Sequence, residues 1–141
     1  MNKNLSSVLD NMDTTAPTAL VHALEFQKRV AEVGFDWPQV IQVLEKIDEE
    51  LREIRHEITV GAGHDRLEDE VGDLLFVCVN LARHLRVDPE QALRRANAKF
   101  ERRFRRIEAL LAAHGRSPEQ STLEEMDSLW DQAKAEEKNL P

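Results

Sequence analysis

The chain has 141 residues, and its 27 acidic and 19 basic side chains give a formal net charge of −8. That charge argues against a nucleic-acid polymer as partner, because the phosphate backbone is also negative. No apolar run approaches the roughly 18 residues that cross a membrane, and the polar N-terminus lacks the pattern of a signal peptide. Cys78 is the single cysteine, so no internal disulfide can form. We therefore expect a cytoplasmic protein with no membrane partner, and Cys78 as a small core residue.

The first two predicted helices follow from apolar periodicity and from breakers. With only five Gly and five Pro in the chain, long helices are favoured over strands. The first helix is predicted from about Pro17 to Val33, and one face carries Leu20, Leu24, Gln27 and Val30–Ala31. The second is predicted from near Asp36 and Pro38 to about Thr59, with a stripe of Val40, Leu44, Ile47, Leu51, Ile54 and Ile58.

The third predicted helix runs from about Arg66 to Leu85, after a break at Gly61 and Gly63, with Asp65 as its N-cap. Residues 74–82 are apolar on nearly every side. A helix of this kind must be covered all round, and a chain of this length supplies little cover. We therefore expect a homodimer or a higher homo-oligomer.

Two further helices complete the prediction. Asp88 and Pro89 indicate the start of the fourth helix, which is predicted to run to about Ala113. The fifth starts at Ser121 or Thr122, with Ser121 and Glu124 as a capping box, and ends near Ala135. The prediction is thus an all-α fold with one domain at 15–137, between flexible tails at 1–14 and 138–141.

Carboxylates three residues apart carry the chemical signal. Glu50 and Glu53 lie one turn apart on one side of the second helix, and Glu70 and Asp73 repeat this spacing on the third. Asp73 stands at the edge of an apolar face, where a carboxylate is costly unless it is paired or bound to a cation. If the two helices are antiparallel, the two carboxylate pairs face each other and could bind one cation. The alternative is that these carboxylates form a solvated charged surface.

An all-carboxylate site selects a hard cation, so Mg²⁺, or Mn²⁺ in its stead, fits better than Zn²⁺. The fourth helix is locally basic, with seven basic residues against one acid in 94–106. Lys99, Arg102 and Arg103 are spaced by three and one and suit the phosphates of a small anion. The alternative for this cluster is a surface face that pairs with nearby glutamates.

At this point the chain resembles the MazG family of nucleoside triphosphate pyrophosphohydrolases. The family pattern is Glu-Glu-x-x-Glu followed by Glu-x-x-Asp, here Glu49-Glu50-x-x-Glu53 and Glu70-x-x-Asp73. Further matching segments are Gln27-Lys28-Arg29, Val33-Gly34-Phe35-Asp36-Trp37, Gly72-Asp73-Leu74-Leu75-Phe76, Val79-Asn80-Leu81-Ala82-Arg83-His84 and Lys99-Phe100-Glu101-Arg102-Arg103-Phe104. The likeness covers roughly residues 20 to 135 and is to the catalytic half of long bacterial members.

The resemblance implies a helical fold, with a four-helix-bundle core completed by dimerisation, and a house-cleaning role in nucleotide pools. It implies Mg²⁺-dependent hydrolysis of a nucleoside triphosphate to the monophosphate and pyrophosphate. It also implies Glu50, Glu53, Glu70 and Asp73 as metal ligands and Glu49 as the residue that orients or deprotonates water. The implied substrate contacts are Lys46, Lys99, Arg102, Arg103 and Trp130, although a core role for Trp130 is equally favoured.

Two other functions stay open at this point. Glu53 and His56 supply one Glu-x-x-His element of a di-iron bundle, but such a site needs a second. A non-enzymatic helical interaction module would explain the charge as surface and the apolar helix as a dimer core. The long relatives carry two such domains in tandem and this chain carries one, so it is a stand-alone enzyme or one half of a larger protein.

Overall fold

The computed structural model describes residues 7, 9–12 and 18–140. Its helices are α1 (Ala19–Ala31), α2 (Val40–Thr59), α3 (His64–His84), α4 (Pro89–Ala112) and α5 (Leu123–Lys138), with a 3₁₀ turn at Pro118–Gln120. These residues include no strand, so the all-α prediction is confirmed. Among the helices described, none is both long and apolar enough to span a bilayer. The predicted tail at 1–14 lies mostly outside the described residues, and the boundaries at 15–137 and 138–141 stay predictions.

Side-chain caps determine where several helices begin. Thr18 accepts a hydrogen bond from the backbone N–H of Val21 at 3.2 Å and starts α1. Asp88 accepts from the N–H of Glu90 at 2.9 Å at the start of α4, as its sequence position predicts. At these two helices a short polar side chain accepts a backbone N–H of the first turn, as capping residues do.

Two predicted caps are wrong. α3 starts after Gly63, and Asp65 lies within its first turn, where a carboxylate suits the positive end of the helix dipole. At α5 the cap is Thr122, whose hydroxyl accepts from the N–H of Glu125 at 3.2 Å. The predicted pair of Ser121 and Glu124 was one residue out of register, because two adjacent hydroxyl residues offer the same capping group.

The chain divides into two compact units, and the first comprises residues 1–92. In this unit α3 packs against both α2 and α1, and Val43, Val77 and Val79 are buried. The turn between α2 and α3 is short because Gly61 adopts a φ of +69°, a left-handed conformation that glycine reaches without strain. This turn fixes which face of α3 meets α2.

The second unit comprises residues 93–141, so the boundary falls within α4. Its core contains Ile107 and Leu111 from α4 and Ala133 from α5. Ion pairs along both helices support this core, among them Arg106 to Glu136 at 2.7 Å. The unit is thus an α-helical pair with a small apolar seam and a charged outer surface.

Much of α3 remains open to solvent in the single chain. Val71, Leu75 and Phe76 are 46%, 56% and 47% exposed. Cys78 is also exposed, so the prediction of a core cysteine is wrong for the single chain. The reason is that α1 and α2 are the main partners of α3, and they leave part of an apolar helix uncovered.

An ion pair between a buried glutamate and an exposed arginine links the end of α2 to the start of α3. Glu57 is 6% exposed, and its Oε1 lies 2.9 Å from Nε of Arg66. We expect Arg66→Met to reduce the free energy of unfolding by about 1–2 kcal/mol, because it leaves a buried carboxylate without its partner. Urea denaturation measures this, with the exposed Arg52→Met as the matched control. Equal stability of the two variants would contradict the role of this pair.

Candidate active site

Three of the four predicted metal ligands come together between α2 and α3. Glu50, Glu53 and Glu70 each offer a carboxylate oxygen, and these oxygens lie within 4.8 Å of one another. Glu50 is buried, Glu70 is half-buried and Glu53 is exposed. The cluster therefore has a closed side and a side open to solvent, as a site for a metal and a diffusing substrate requires.

Two oxygens of this cluster are buried without a hydrogen-bond partner, namely Oε2 of Glu50 and Oε2 of Glu70. Burial raises the pKa of Glu50 above its ordinary value, the hydrogen bond from Lys46 opposes that rise, and the charges of Glu53 and Asp73 add to it. Unpartnered carboxylate oxygens close to like charges are unfavourable. A cation held by these oxygens would relieve both the desolvation and the repulsion.

Asp73 lies outside this group of three. Its residue is exposed, although its charge contributes to the raised pKa of Glu50. The fourth predicted ligand therefore lies near the cluster but is not among the three residues whose oxygens lie within 4.8 Å of one another. The donor set as a whole consists of hard carboxylate oxygens with no thiolate and no imidazole, and it fits Mg²⁺ or Mn²⁺.

Lys46 lies between two of the predicted site residues. Its Nζ is 3.3 Å from Oε1 of Glu49 and 3.4 Å from Oε1 of Glu50. Burial alone would lower the pKa of Lys46, but the hydrogen bonds to Glu49 and Glu50 outweigh it and raise the pKa. Lys46 is therefore a cation at the cluster, and Glu49 is exposed beside it. The role of Glu49 toward water stays a prediction.

The predicted phosphate contacts on α4 belong to the second unit. Nε of Arg102 donates to Oε1 of Glu137 at 2.8 Å, and Nε of Arg103 donates to Oε2 at 3.1 Å. These two hydrogen bonds lower the pKa of Glu137 to about 2. Lys99 is exposed. Both arginines thus already hold a carboxylate, and a phosphate would share them with Glu137 or displace it.

Trp130 packs within the same unit. Its ring centroid lies 5.6 Å from that of Phe100, and the guanidinium of Arg103 lies 5.3 Å from the centroid of Trp130. Such an arginine gains a cation–π contact. These contacts give Trp130 a packing role in the unit, and its predicted contact with a nucleotide stays a prediction.

Sequence reasoning missed a cavity in the first unit. It measures about 600 Å³, and its lining includes aromatic side chains, the polar residues Gln27, Lys46 and Asn80, and the ion pair of Asp36 with Arg83. Gln27 is only 5% exposed, which is unusual for a glutamine. The signal for it was present, because Gln27 is the one polar residue on the predicted apolar face of the first helix.

Comparison with known proteins identifies a matching family and several similar proteins. Residues 39–107 match the family described as the MazG nucleotide pyrophosphohydrolase domain. The chain is 45% identical over 135 residues to the nucleoside triphosphate pyrophosphohydrolase of Escherichia coli strain K12, covering 95% of this chain and 51% of that protein. It is 42% identical over 132 residues to the nucleoside triphosphate pyrophosphohydrolase/pyrophosphatase MazG of Thermotoga maritima, covering 94% and 50%.

A third relative is the uncharacterized protein YabN of Bacillus subtilis strain 168, which is 42% identical over 137 residues, covering 97% of this chain and 28% of that protein. The chain spans about half the length of the first two relatives. The matched segment contains all four predicted carboxylates and the predicted contacts from Lys46 to Arg103. The recognition from sequence motifs is confirmed: residues 39–107 match the MazG family, and the similarity to nucleoside triphosphate pyrophosphohydrolases extends over most of the chain.

The ion pairs of Glu137 with Arg102 and Arg103 make the stability of the second unit depend on pH. The pKa of the Glu137 carboxyl falls on folding from an ordinary value of 4.5 to about 2, so these ion pairs stabilise the fold above pH 4.5. That contribution is lost as the pH falls toward 2. We expect Glu137→Gln to lower stability at neutral pH and to flatten the acid loss between these values. Thermal unfolding across pH measures both effects.

The matched control for this experiment is Asp127→Asn, at an exposed position of the same helix. It should leave the pH profile close to that of the unaltered chain. If Glu137→Gln loses stability with falling pH as the unaltered chain does, protonation of Glu137 is not the cause of that loss.

Proposed function

We propose that the chain hydrolyses nucleoside triphosphates to the nucleoside monophosphate and pyrophosphate, with Mg²⁺ as cofactor and Mn²⁺ as an alternative. The observation that carries this proposal is the group of Glu50, Glu53 and Glu70, whose oxygens lie within 4.8 Å of one another in a MazG domain. Two relatives, each covered to about half its length, are named as nucleoside triphosphate pyrophosphohydrolases, which supports the proposed reaction.

The roles of the residues follow from their chemistry. Glu50, Glu53 and Glu70 would hold the metal, with Asp73 as the fourth ligand. A bound Mg²⁺ supplies positive charge to the phosphate oxygens of the scissile anhydride. Lys46 contributes a further positive charge at the same cluster, and Glu49 orients or deprotonates the attacking water. Lys99, Arg102 and Arg103 are proposed to bind phosphate and Trp130 to contact the nucleotide.

The products of the reaction test this proposal directly. Incubation of the chain with Mg²⁺ and a panel of nucleoside triphosphates should yield equal amounts of monophosphate and pyrophosphate. Anion-exchange chromatography separates these from a diphosphate, which should not accumulate. Release of orthophosphate alone, or no turnover of any triphosphate, would refute the proposed reaction.

The metal ligands make a second prediction. Glu70→Gln keeps the size of the side chain and removes one negative charge from the cluster. Turnover should fall by about a hundredfold or more, because lost electrostatic stabilisation of a transition state costs about 3 kcal/mol. Without metal the variant should melt at or above the temperature of the unaltered chain, since repulsion is relieved. Added Mg²⁺ should raise the melting temperature of the unaltered chain only.

Glu68→Gln is the matched control, because its side chain is 74% exposed on the same helix and lies 3.9 Å from His64. It should keep both the turnover and the Mg²⁺ response. A well-folded Glu70→Gln protein with near-normal turnover at limiting Mg²⁺ would exclude Glu70 from the metal site.

We further propose that the active form is a homodimer or a higher homo-oligomer. The support is the apolar surface that the single chain leaves open, on α2 at Ile41, Leu44, Leu51 and Ile58 and on α3 at Val71 and Leu75. Large apolar side chains exposed on two adjacent helices are a feature of surfaces that bind another protein chain. Multi-angle light scattering should give at least about twice the chain mass of 16.2 kDa, and Leu75→Glu should reduce it. A monomer at micromolar concentration would contradict this assembly.

A further inference from the structure

The cavity in the first unit has the size and the lining of a site for a planar ring. Its volume of about 600 Å³ falls within the range of small-molecule sites. Phe26, Phe35, Trp37 and Phe76 contribute aromatic surface to it. Flat apolar walls of this kind favour a flat heterocycle, because a ring that stacks on them leaves water with little loss of hydrogen bonding.

Gln27, one of the lining residues, carries a fixed hydrogen-bond acceptor next to the cavity. Its Nε2 donates to the backbone carbonyl of Phe76 at 2.8 Å, and this bond determines the orientation of the amide. Rotation of the amide by 180° would bring two oxygens together. The other amide atom, Oε1, is buried and has no hydrogen-bond partner. A carbonyl oxygen in this position is unfavourable until an N–H or O–H group reaches it.

Asn80 supplies a complementary donor in the same lining. Its Oδ1 accepts from Nε of Arg83 at 3.2 Å and from Nη2 of Arg83 at 2.7 Å. Because the carbonyl oxygen is held by the arginine, the amide nitrogen Nδ2 is the atom through which Asn80 donates elsewhere. One acceptor and one donor, both neutral, suit the edge of a nucleobase, which carries both kinds of group.

Lys46 connects this cavity to the carboxylate cluster. It is one of the cavity's lining residues, and its Nζ lies 3.4 Å from Oε1 of Glu50. A ligand with an uncharged ring in the cavity and an anionic group beyond Lys46 would therefore reach the proposed metal site. A nucleotide has this division between a neutral base and charged phosphates.

From these observations we infer that the cavity holds the base of the nucleotide and that Oε1 of Gln27 accepts a hydrogen bond from an N–H group of that base. This inference rests on the proposed function and adds a specificity-determining residue to it. Bases without an N–H donor would leave the buried oxygen unpaired and should bind more weakly for that reason.

Binding of non-hydrolysable triphosphates with Mg²⁺, measured by calorimetry, tests the inference. The panel contains α,β-methylene triphosphates of the four common ribonucleosides, of purine riboside and of pyrimidin-2-one riboside. The last two bases carry no N–H donor. We expect the tightest-binding common purine nucleotide to bind about tenfold or more tightly than the purine riboside analogue. The same difference is expected between the tightest-binding common pyrimidine nucleotide and the pyrimidin-2-one analogue.

Gln27→Met should remove this difference by weakening only the common nucleotides, because it keeps the side-chain length and loses the acceptor. The exposed Gln91→Met is the matched control and should keep the difference. Inorganic tripolyphosphate, which has no base, reports on the phosphate site alone and should bind equally to Gln27→Met and to the unaltered chain.

The failures of the two proposals are distinguishable. If the donor-free analogues bind the unaltered chain as tightly as the common nucleotides while pyrophosphate is still released, the role of Gln27 is refuted and the proposed reaction stands. If no triphosphate binds and none is hydrolysed, the proposed function fails and the inference fails with it. The comparison within the unaltered chain decides the matter even if Gln27→Met does not fold.

Discussion

The first unit is organised around a buried carboxylate. Glu50 is 4% exposed, and within the chain its direct ionic partner is Lys46, one helical turn earlier. Burying a charged group costs several kcal/mol unless it is paired and hydrogen-bonded, and here one oxygen remains unpartnered. Such an arrangement is a poor way to stabilise a helix pair. It is a suitable way to prepare a cation site, because the cost of desolvation is met during folding.

The position of α3 follows from the same requirement. For Glu70 to approach Glu50 and Glu53, α3 must return along α2 with its acidic first half opposite the acidic second half of α2. The short turn at Gly61 permits this, and the pair of Glu57 and Arg66 fastens the two helices next to it. Val43, Val77 and Val79 then supply the apolar burial that offsets repulsion among the carboxylates.

The basic helix requires a different account from the one its composition suggests. Residues 94–106 carry seven basic side chains, yet Arg102 and Arg103 share Glu137, and Arg106 pairs with Glu136. The guanidinium groups are therefore held in place within the second unit before any ligand arrives. Carboxylate and phosphate groups both accept paired hydrogen bonds from arginine, so an incoming phosphate would compete with Glu137 for two groups that Glu137 already orients.

The helices, and the pairing of Glu50 with Glu53 in the acidic cluster, were predictable from the sequence because both depend on regular spacing along one helix. Glu50 and Glu53 are neighbours by helical geometry alone, and the Gly-containing break made the return of α3 a simple deduction. Contacts between distant segments were not predictable. The partner of Arg102 lies 35 residues away on α5, and nothing in local periodicity identifies it. The exposure of Cys78 likewise depends on which helices cover α3, and the apolar run around it indicated only that some cover was required.

Gln27 shows how a polar residue on an apolar face can be interpreted once its partners are known. In the sequence it was an imperfection in the stripe of α1. In the structure its amide is held by the backbone of α3, and its free oxygen lies in the unit that contains the carboxylate cluster. Neutral amides can distinguish bases without disturbing a site that already carries several negative charges, whereas another ionised group there would change the pKa of Glu50. Lys46, which contacts the cluster and also lines the cavity, is the residue through which the two sites connect.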